Sequence, residues 1–95
     1  MPELLISPEA EIDLLEIWLY IAEDSLKNAD RFQDKLVSKA SKLSESSEIG
    51  KDRPELGKGL KSFPVDRYML YYRASQTGIE LVRILHGSRD VQALF

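Results

Sequence analysis

Apolar positions along this chain follow first a strand pattern, then helical periodicity, and then strand patterns again. A short apolar run at residues 4–6 stops at Ser7-Pro8. Serine is a good helix cap and proline favours the first helical position, so this pair predicts a strand followed at once by a helix. Helical spacing of the apolar residues then continues through residues 9–26.

The first predicted helix is apolar around most of its circumference. Its polar positions fall in one arc of about 100°, and apolar residues fill most of the rest. Because that apolar arc is wider than one sheet can cover, a second helix or a binding partner must cover part of it. Leu14, Trp18 and Ile21 are therefore candidates for contact with a partner, although core packing is the better expectation for Trp18.

The second helix is predicted to begin at Asn28, a good N-cap, and to end near Ser46. Since only about one residue separates the two helices, they should form an antiparallel hairpin. Basic residues line the outer face of the second helix at spacings of three and four: Lys27, Arg31, Lys35, Lys39 and Lys42. We interpret this stripe as a solvated face rather than a docking surface.

The second half of the chain is typical of a loop followed by three strands. Residues 44–59 are polar and rich in glycine and proline, which predicts a long surface loop with Ile49 as its one anchor in the core. Strands are predicted at 60–63, 68–74 and 79–86, with turns at 64–66 and 75–78 that imply antiparallel hairpins. The last strand is apolar on both faces, so it should be central and covered on both sides.

Composition limits the protein to a few classes. With 95 residues, 43% hydrophobic and 31% charged, the chain is expected to form one globular domain over residues 1–95. It contains no cysteine, which excludes disulfides, zinc thiolate sites and cysteine nucleophiles and suits a reducing cytoplasm. No stretch approaches the roughly 18 apolar residues of a membrane span, and the N-terminus lacks the features of a signal peptide.

Charge is distributed unevenly within a net charge of −3. Residues 1–26 carry seven acidic and no basic residues, whereas residues 27–95 carry all 13 basic residues against nine acidic ones. The two signs should therefore occupy different faces. The overall balance of acidic and basic residues is not that of a nucleic-acid-binding protein.

With one histidine and no paired carboxylates beside it, a metal site has almost no support, and no glycine-rich phosphate loop is present.

Several segments of the chain match a known family. They are Ser7-Pro8-Glu9-Ala10, Trp18-Leu19-Tyr20-Ile21-Ala22, Gly50-Lys51, Gly59-Leu60-Lys61-Ser62-Phe63-Pro64, Tyr68-Met69-Leu70-Tyr71-Tyr72-Arg73 and Val82-Arg83-Ile84-Leu85-His86-Gly87-Ser88-Arg89-Asp90. In their order and spacing the chain resembles the ParE toxins of the RelE/ParE toxin-antitoxin superfamily, which includes plasmid stabilisation systems. Each motif alone is weak, but together they cover nearly the whole chain.

The resemblance implies an α+β fold of order β-α-α-β-β-β, in which the two-helix hairpin packs on one face of a small antiparallel sheet. It also implies a bacterial toxin that is neutralised by a ParD-like antitoxin, whose C-terminal segment wraps the fold. The implied target is DNA gyrase, poisoned so that cleaved DNA persists. No cofactor, metal, membrane contact or direct sequence-specific contact with nucleic acid is expected.

The RelE branch of the same superfamily provides an alternative, cleavage of messenger RNA on the ribosome. That chemistry needs a base, an acid and cations for the phosphate, and the candidates are His86 with Arg67, Arg83 and Arg89. RelE-type enzymes usually place a tyrosine or histidine in the last few residues, whereas no titratable side chain follows Asp90 here. This difference favours a toxin that binds over a nuclease. An inactive member that only binds an antitoxin is the third hypothesis.

The candidate contact residues are Arg67, Arg83, His86, Arg89 and Asp90, together with Leu14, Trp18 and Ile21. For His86 a structural role is the leading interpretation. Arg83 lies between apolar residues of a strand, so it must pair with a carboxylate or line a groove. Arg89 and Asp90 form either a local ion pair or a contact with a partner.

Overall fold

The computed structural model describes residues 2–95 and places two helices against one face of a five-stranded sheet. The elements in chain order are β1 (Glu3–Ile6), α1 (Pro8–Ala22), α2 (Leu26–Glu45), β2 (Lys51–Asp52), β3 (Lys61–Val65), β4 (Tyr68–Ala74) and β5 (Gly78–His86). Short 3-10 turns lie at Ser47–Ile49 and Val91–Leu94. The predicted α+β class, with a helix hairpin on the sheet, is confirmed.

The strands lie in the order β1-β5-β4-β3-β2. Three of the four pairings are antiparallel, but β1 runs parallel to β5. The β3–β4 and β4–β5 pairings were expected from the short turns, whereas β2 lies in the segment that was predicted to be a loop. The expectation of a wholly antiparallel sheet was therefore wrong at this edge. The sequence pattern misses the pairing because it joins the first and last strands, which no short turn connects.

Two capping serines define the helix hairpin. Ser7 caps α1 as predicted, since its side-chain oxygen accepts from the Ala10 amide at 3.0 Å. The second cap is Ser25, whose hydroxyl accepts from the Asn28 amide at 3.1 Å. The prediction of Asn28 as the cap, and of a first helix that continues to residue 26, was wrong. Apolar spacing suggested that Leu26 belonged to α1, but it begins α2 and is 64% exposed.

The main core lies between the helices and the sheet. Buried members come from α1, α2 and three strands: Ala10, Leu14, Ile17, Leu36, Ala40, Leu43, Val65, Leu70, Tyr72, Ile79, Leu81 and Ile84. The opposite sheet face carries a second cluster of Leu56, Leu60, Tyr71 and Leu85. As predicted for the last strand, β5 is interior and contributes to both clusters.

The loop that follows α2 covers the second face of the sheet. Its anchors are Leu56 and Leu60, which are 8% and 3% exposed, whereas Ile49 is 59% exposed. The prediction of Ile49 as the core anchor was wrong, because the loop folds back over the sheet only after β2. Phe95 packs on Tyr71 on this same face, with ring centroids 5.1 Å apart.

The turn between β3 and β4 lies later than predicted. β3 continues through Pro64 to Val65, and the turn consists of Asp66 and Arg67. Pro64 is tolerated in the strand because β2 pairs only with Lys61 and Ser62, which leaves the other edge of Pro64 open. Asp66 has a φ of 55°, a left-handed conformation that aspartate adopts more readily than most residues.

Tyr72 joins the sheet to the 3-10 turn that follows α2. Its hydroxyl donates to the Ser47 carbonyl at 2.7 Å and accepts from the Gly50 amide at 2.8 Å. A side chain at position 50 would collide with the Tyr72 ring, so this approach requires glycine.

Among residues 2–95, no helix combines the length and apolar character of a membrane span.

The Tyr72 hydroxyl should give the fold a measurable alkaline sensitivity. Burial raises the pKa of Tyr72, so the folded state favours the neutral phenol. Its contribution is complete below the unfolded pKa of about 10 and is lost as pH rises through the folded-state value. Tyr72→Phe should cost about 1 to 2 kcal/mol near neutral pH, because two hydrogen bonds are lost.

As pH rises above about 10, Tyr72→Phe should lose less stability than the wild type, because it has no phenol to ionise. Urea unfolding at several pH values measures both effects. Tyr20→Phe is the matched control, because this tyrosine is 71% exposed and should leave the pH profile unchanged. Parallel profiles for Tyr72→Phe and the wild type would contradict the assignment.

Candidate functional site

The end of β5 nearest α1 is organised by one carboxylate. Asp13 accepts from Arg83 through two bonds, Nε to Oδ2 at 2.8 Å and Nη2 to Oδ1 at 3.0 Å. It also accepts from the backbone amide of Ile84 at 2.9 Å. Both alternatives for Arg83 are observed, because it pairs with this carboxylate and also lines a cleft beside Glu16 and Arg89. The hydrogen bonds to Asp13 raise the pKa of Arg83 above its usual value.

A β-bulge directs Arg83 toward this carboxylate. Tyr71 pairs with Arg83 and Tyr72 with Leu81, so Val82 is an extra residue in β5. The extra residue shifts the alternation of faces. Leu81 and Ile84 thus both pack under the helices. Apolar spacing alone gave no sign of the bulge.

An aromatic cleft of about 430 Å³ opens between α1, α2 and the β3–β4 turn. Its lining residues are Tyr20, Ile21, Phe32, Asp66, Arg67, Tyr68 and His86. We call it the aromatic cleft. Tyr68 packs against Phe32, with centroids 5.6 Å apart, and edge-on against His86 at 5.3 Å. Asp66 is paired with Lys35 at 3.0 Å, whereas Arg67 makes no ion pair with any of residues 2–95.

The hydrogen bonds of His86 define its tautomer. The Ser88 backbone amide donates to His86 Nδ1 at 3.2 Å, and the Ser88 hydroxyl lies 2.7 Å from the same nitrogen. Because Nδ1 accepts, the neutral ring carries its proton on Nε2. His86 therefore presents a hydrogen-bond donor, on a ring that lines the aromatic cleft and the smaller cleft beside it.

The smaller cleft, of about 170 Å³, extends from His86 toward Arg89. Glu16 and Asp13 also line it, so the charge there is mixed. The structure thus brings Arg67, His86 and Arg89 onto one connected surface. Arg83 is held in its ion pair and lines a separate cleft that it shares with Arg89. Asp90 is exposed at the start of the last 3-10 turn and forms no ion pair with Arg89 in the described chain, which contradicts the local-pair interpretation.

Part of the apolar arc of α1 stays uncovered. Ile12, Leu15 and Leu19 are 55%, 56% and 52% exposed and align along one side of the helix. We call these three residues the outer stripe. An uncovered arc was predicted for this helix, but with Leu14, Trp18 and Ile21 as its contact residues. Leu14 is 7% exposed in the core, so the structure contradicts its choice as a contact residue, and Ile21 is half-buried in the aromatic cleft.

Trp18 was expected in the core but lies outside both clusters. It is half-buried, and its indole nitrogen donates to Asp30 Oδ1 at 2.8 Å across the helix hairpin. Its ring lines a shallow cleft of about 380 Å³ with Leu15 and Val37. The ring is therefore available beside the outer stripe.

The basic stripe of α2 is largely solvated, as interpreted, apart from the pairing of Lys35 with Asp66.

The chemistry of the connected surface suits binding. Arg67, Arg89 and the Nε2 proton of His86 are donors, and the tyrosines add aromatic walls. No group of three or more His, Cys, Asp or Glu among residues 2–95 is placed to hold a metal ion.

The helix hairpin on a five-stranded sheet defines a small α+β protein with the fold of a known toxin system. A solved structure, "Chromosomal ParDE TA system from P. aeruginosa", superposes with a TM-score of 0.75 at 20% identity, covering 90% of this chain and 96% of that chain. A profile of the family "ParE toxin of type II toxin-antitoxin system, parDE" matches residues 4–91. Among curated proteins there is no significant match. The chain belongs to the ParE toxin family.

Removing the Asp13 carboxylate should destabilise the whole domain. Asp13→Ala leaves the Arg83 charge and the Ile84 amide without their acceptor, and we expect a loss of about 3 kcal/mol in the free energy of unfolding. Urea denaturation measures it. Glu16→Ala, an exposed carboxylate one turn later on α1, should change stability by less than about 0.5 kcal/mol. Equal effects of the two variants would refute the role given to Asp13.

Proposed function

We propose that this ParE toxin acts by binding: it inhibits DNA gyrase, and a ParD-like antitoxin neutralises it. The observation that carries the proposal is the family match over residues 4–91. The toxin would act in the cytoplasm, where gyrase works, and would need no cofactor.

Two features favour binding over RNA cleavage. His86 Nδ1 is engaged by the Ser88 amide, so the neutral ring is a donor and has no free nitrogen to act as a base. Arg83, one of the cations proposed for a nuclease, is held by Asp13. A RelE-type reaction would therefore lack a base and one of its phosphate clamps.

The outer stripe is the surface we assign to the antitoxin. Three half-exposed apolar side chains in a row match the anchors of an amphipathic helix. The same helix carries Glu9 and Glu16 and has no basic residue, and Glu23 follows at its C-cap at the same spacing of seven. An antitoxin segment that covers the stripe should thus be an amphipathic helix with basic flanks.

Purified gyrase tests the proposed target. Adding the toxin to gyrase and relaxed plasmid should inhibit supercoiling and increase the fraction of cleaved DNA trapped by denaturant. Adding the protein encoded beside the toxin gene should restore supercoiling. Gel electrophoresis of the plasmid measures both effects.

Other outcomes would select the alternatives. Unaffected gyrase, together with codon-positioned cuts in messenger RNA on ribosomes that disappear in His86→Gln, would replace the proposal with a RelE-like nuclease. Unaffected gyrase, intact RNA and normal growth on expression would identify an inactive, antitoxin-binding member.

The antitoxin surface is tested by removing the outer stripe. The double variant Leu15→Ser/Leu19→Ser should bind the protein encoded beside the toxin gene at least about tenfold more weakly, because two buried leucine anchors are lost. Isothermal titration calorimetry measures the dissociation constant.

Ile49→Ser is the matched control, because Ile49 is 59% exposed but lies outside α1. The double variant and Ile49→Ser should both remain folded, with unfolding temperatures no more than a few degrees below that of the wild type. If the double variant binds with the wild-type constant, the stripe is not the antitoxin surface.

A further inference from the structure

The aromatic cleft has the size and walls of a site for one large side chain. Its volume of about 430 Å³ falls in the range of ligand pockets. Tyr20, Phe32 and Tyr68 supply aromatic surface, and Ile21 adds an aliphatic wall. Because these walls are mostly apolar, they favour an aromatic or large aliphatic side chain as the occupant. Tyrosine, which lines the cleft twice, is among the residues that most often carry the binding energy of protein interfaces.

Its polar groups favour a negative charge beside that anchor. Arg67 projects from a two-residue turn that is held by a hydrogen bond from the Gly87 amide to the Arg67 carbonyl, at 2.8 Å. Its guanidinium has no carboxylate partner in the described chain, whereas neighbouring Asp66 is neutralised by Lys35. His86 adds a donor at Nε2. One carboxylate can thus be received by two donors at the edge of an aromatic site.

The surrounding charges argue against a nucleic acid in this place. A phosphodiester chain would carry several negative charges along the groove, and Glu16 lines its continuation toward Arg89. The chain as a whole has a net charge of −3. A single carboxylate on a protein segment meets Arg67 without meeting Glu16, so charge selects a peptide over a polyanion.

We propose that the aromatic cleft is a second docking site, separate from the outer stripe. Its occupant is a protein segment that inserts an aromatic or large aliphatic side chain between Tyr20, Phe32 and Tyr68. The segment places an adjacent carboxylate against Arg67 and the Nε2 proton of His86. This partner is acidic, in contrast to the basic helix that suits the acidic face of α1.

A matched pair of small probes tests the site on the full chain. Phenylacetate carries the ring and the carboxylate, and phenylacetamide carries the ring alone. In ¹⁵N–¹H NMR titrations phenylacetate should saturate shifts of the amides of residues 20–21, 66–68 and 86–88, with a dissociation constant on the order of millimolar. Phenylacetamide should bind about fivefold more weakly, as expected for losing one exposed ion pair.

Two variants show whether the named residues are responsible. Arg67→Gln should abolish the preference for the acid over the amide. Arg73→Gln, an exposed arginine at the opposite end of β4, should retain it. Leu15→Ser/Leu19→Ser should bind phenylacetate with the wild-type constant, because the outer stripe is a different surface.

Several results would overturn the proposal. These are no saturable shifts around the cleft, equal binding of the acid and the amide by the wild type, or loss of phenylacetate binding in the stripe variant. Adenosine 5′-monophosphate provides the remaining arm. If it saturates the same amides more tightly than phenylacetate does, the cleft is a nucleotide site instead of a peptide site.

Discussion

β1 ends at Ile6, so the edge of β5 beyond its pairing with β1 has no strand partner. The carboxylate of Asp13 accepts one of the hydrogen bonds that a longer β1 would have accepted there. Beyond Leu81, β5 has no strand on that side, so its polar groups need other partners. The Ser7 hydroxyl donates to the Val82 carbonyl at 2.7 Å, and Asp13 accepts from the Ile84 amide. One helix thus completes a strand edge, which fixes α1 against the sheet.

The same carboxylate determines which cations remain free. Because Asp13 holds Arg83 in two hydrogen bonds, the basic residues near the end of β5 separate into a structural one and two exposed ones, Arg67 and Arg89. A buried carboxylate needs such a partner, since an isolated charge would be costly there. Stability and surface chemistry are therefore coupled at one residue, and the cluster that resembles a nuclease site in sequence is divided in space.

The sequence predicts local features here better than distant ones. Capping and periodicity act over a few residues, and they correctly predict three features. These are the helix start at Ser7-Pro8, the strand at residues 68–74 and the burial of β5 on both faces. The Asp13–Arg83 pair joins residues 70 apart, and the extra residue in β5 changes which side chains share a face. Neither leaves a periodic signal. Asp13 itself lies among the acidic positions of α1, where a solvated carboxylate was the natural interpretation.

An acidic ridge separates the two surfaces that we assign to partners. Glu9 and Glu16 on α1 and Glu23 at its C-cap repeat every seven residues, so they align between the outer stripe and Tyr20. The acidic ridge attracts a basic helix that binds the outer stripe. The same ridge repels an acidic segment, which can pair with Arg67 on the other side of the ridge. Two partners of opposite charge are thus directed to different flanks of one helix. Because the ridge also keeps polyanions away from α1, a small toxin with this surface is suited to contacting protein rather than nucleic acid.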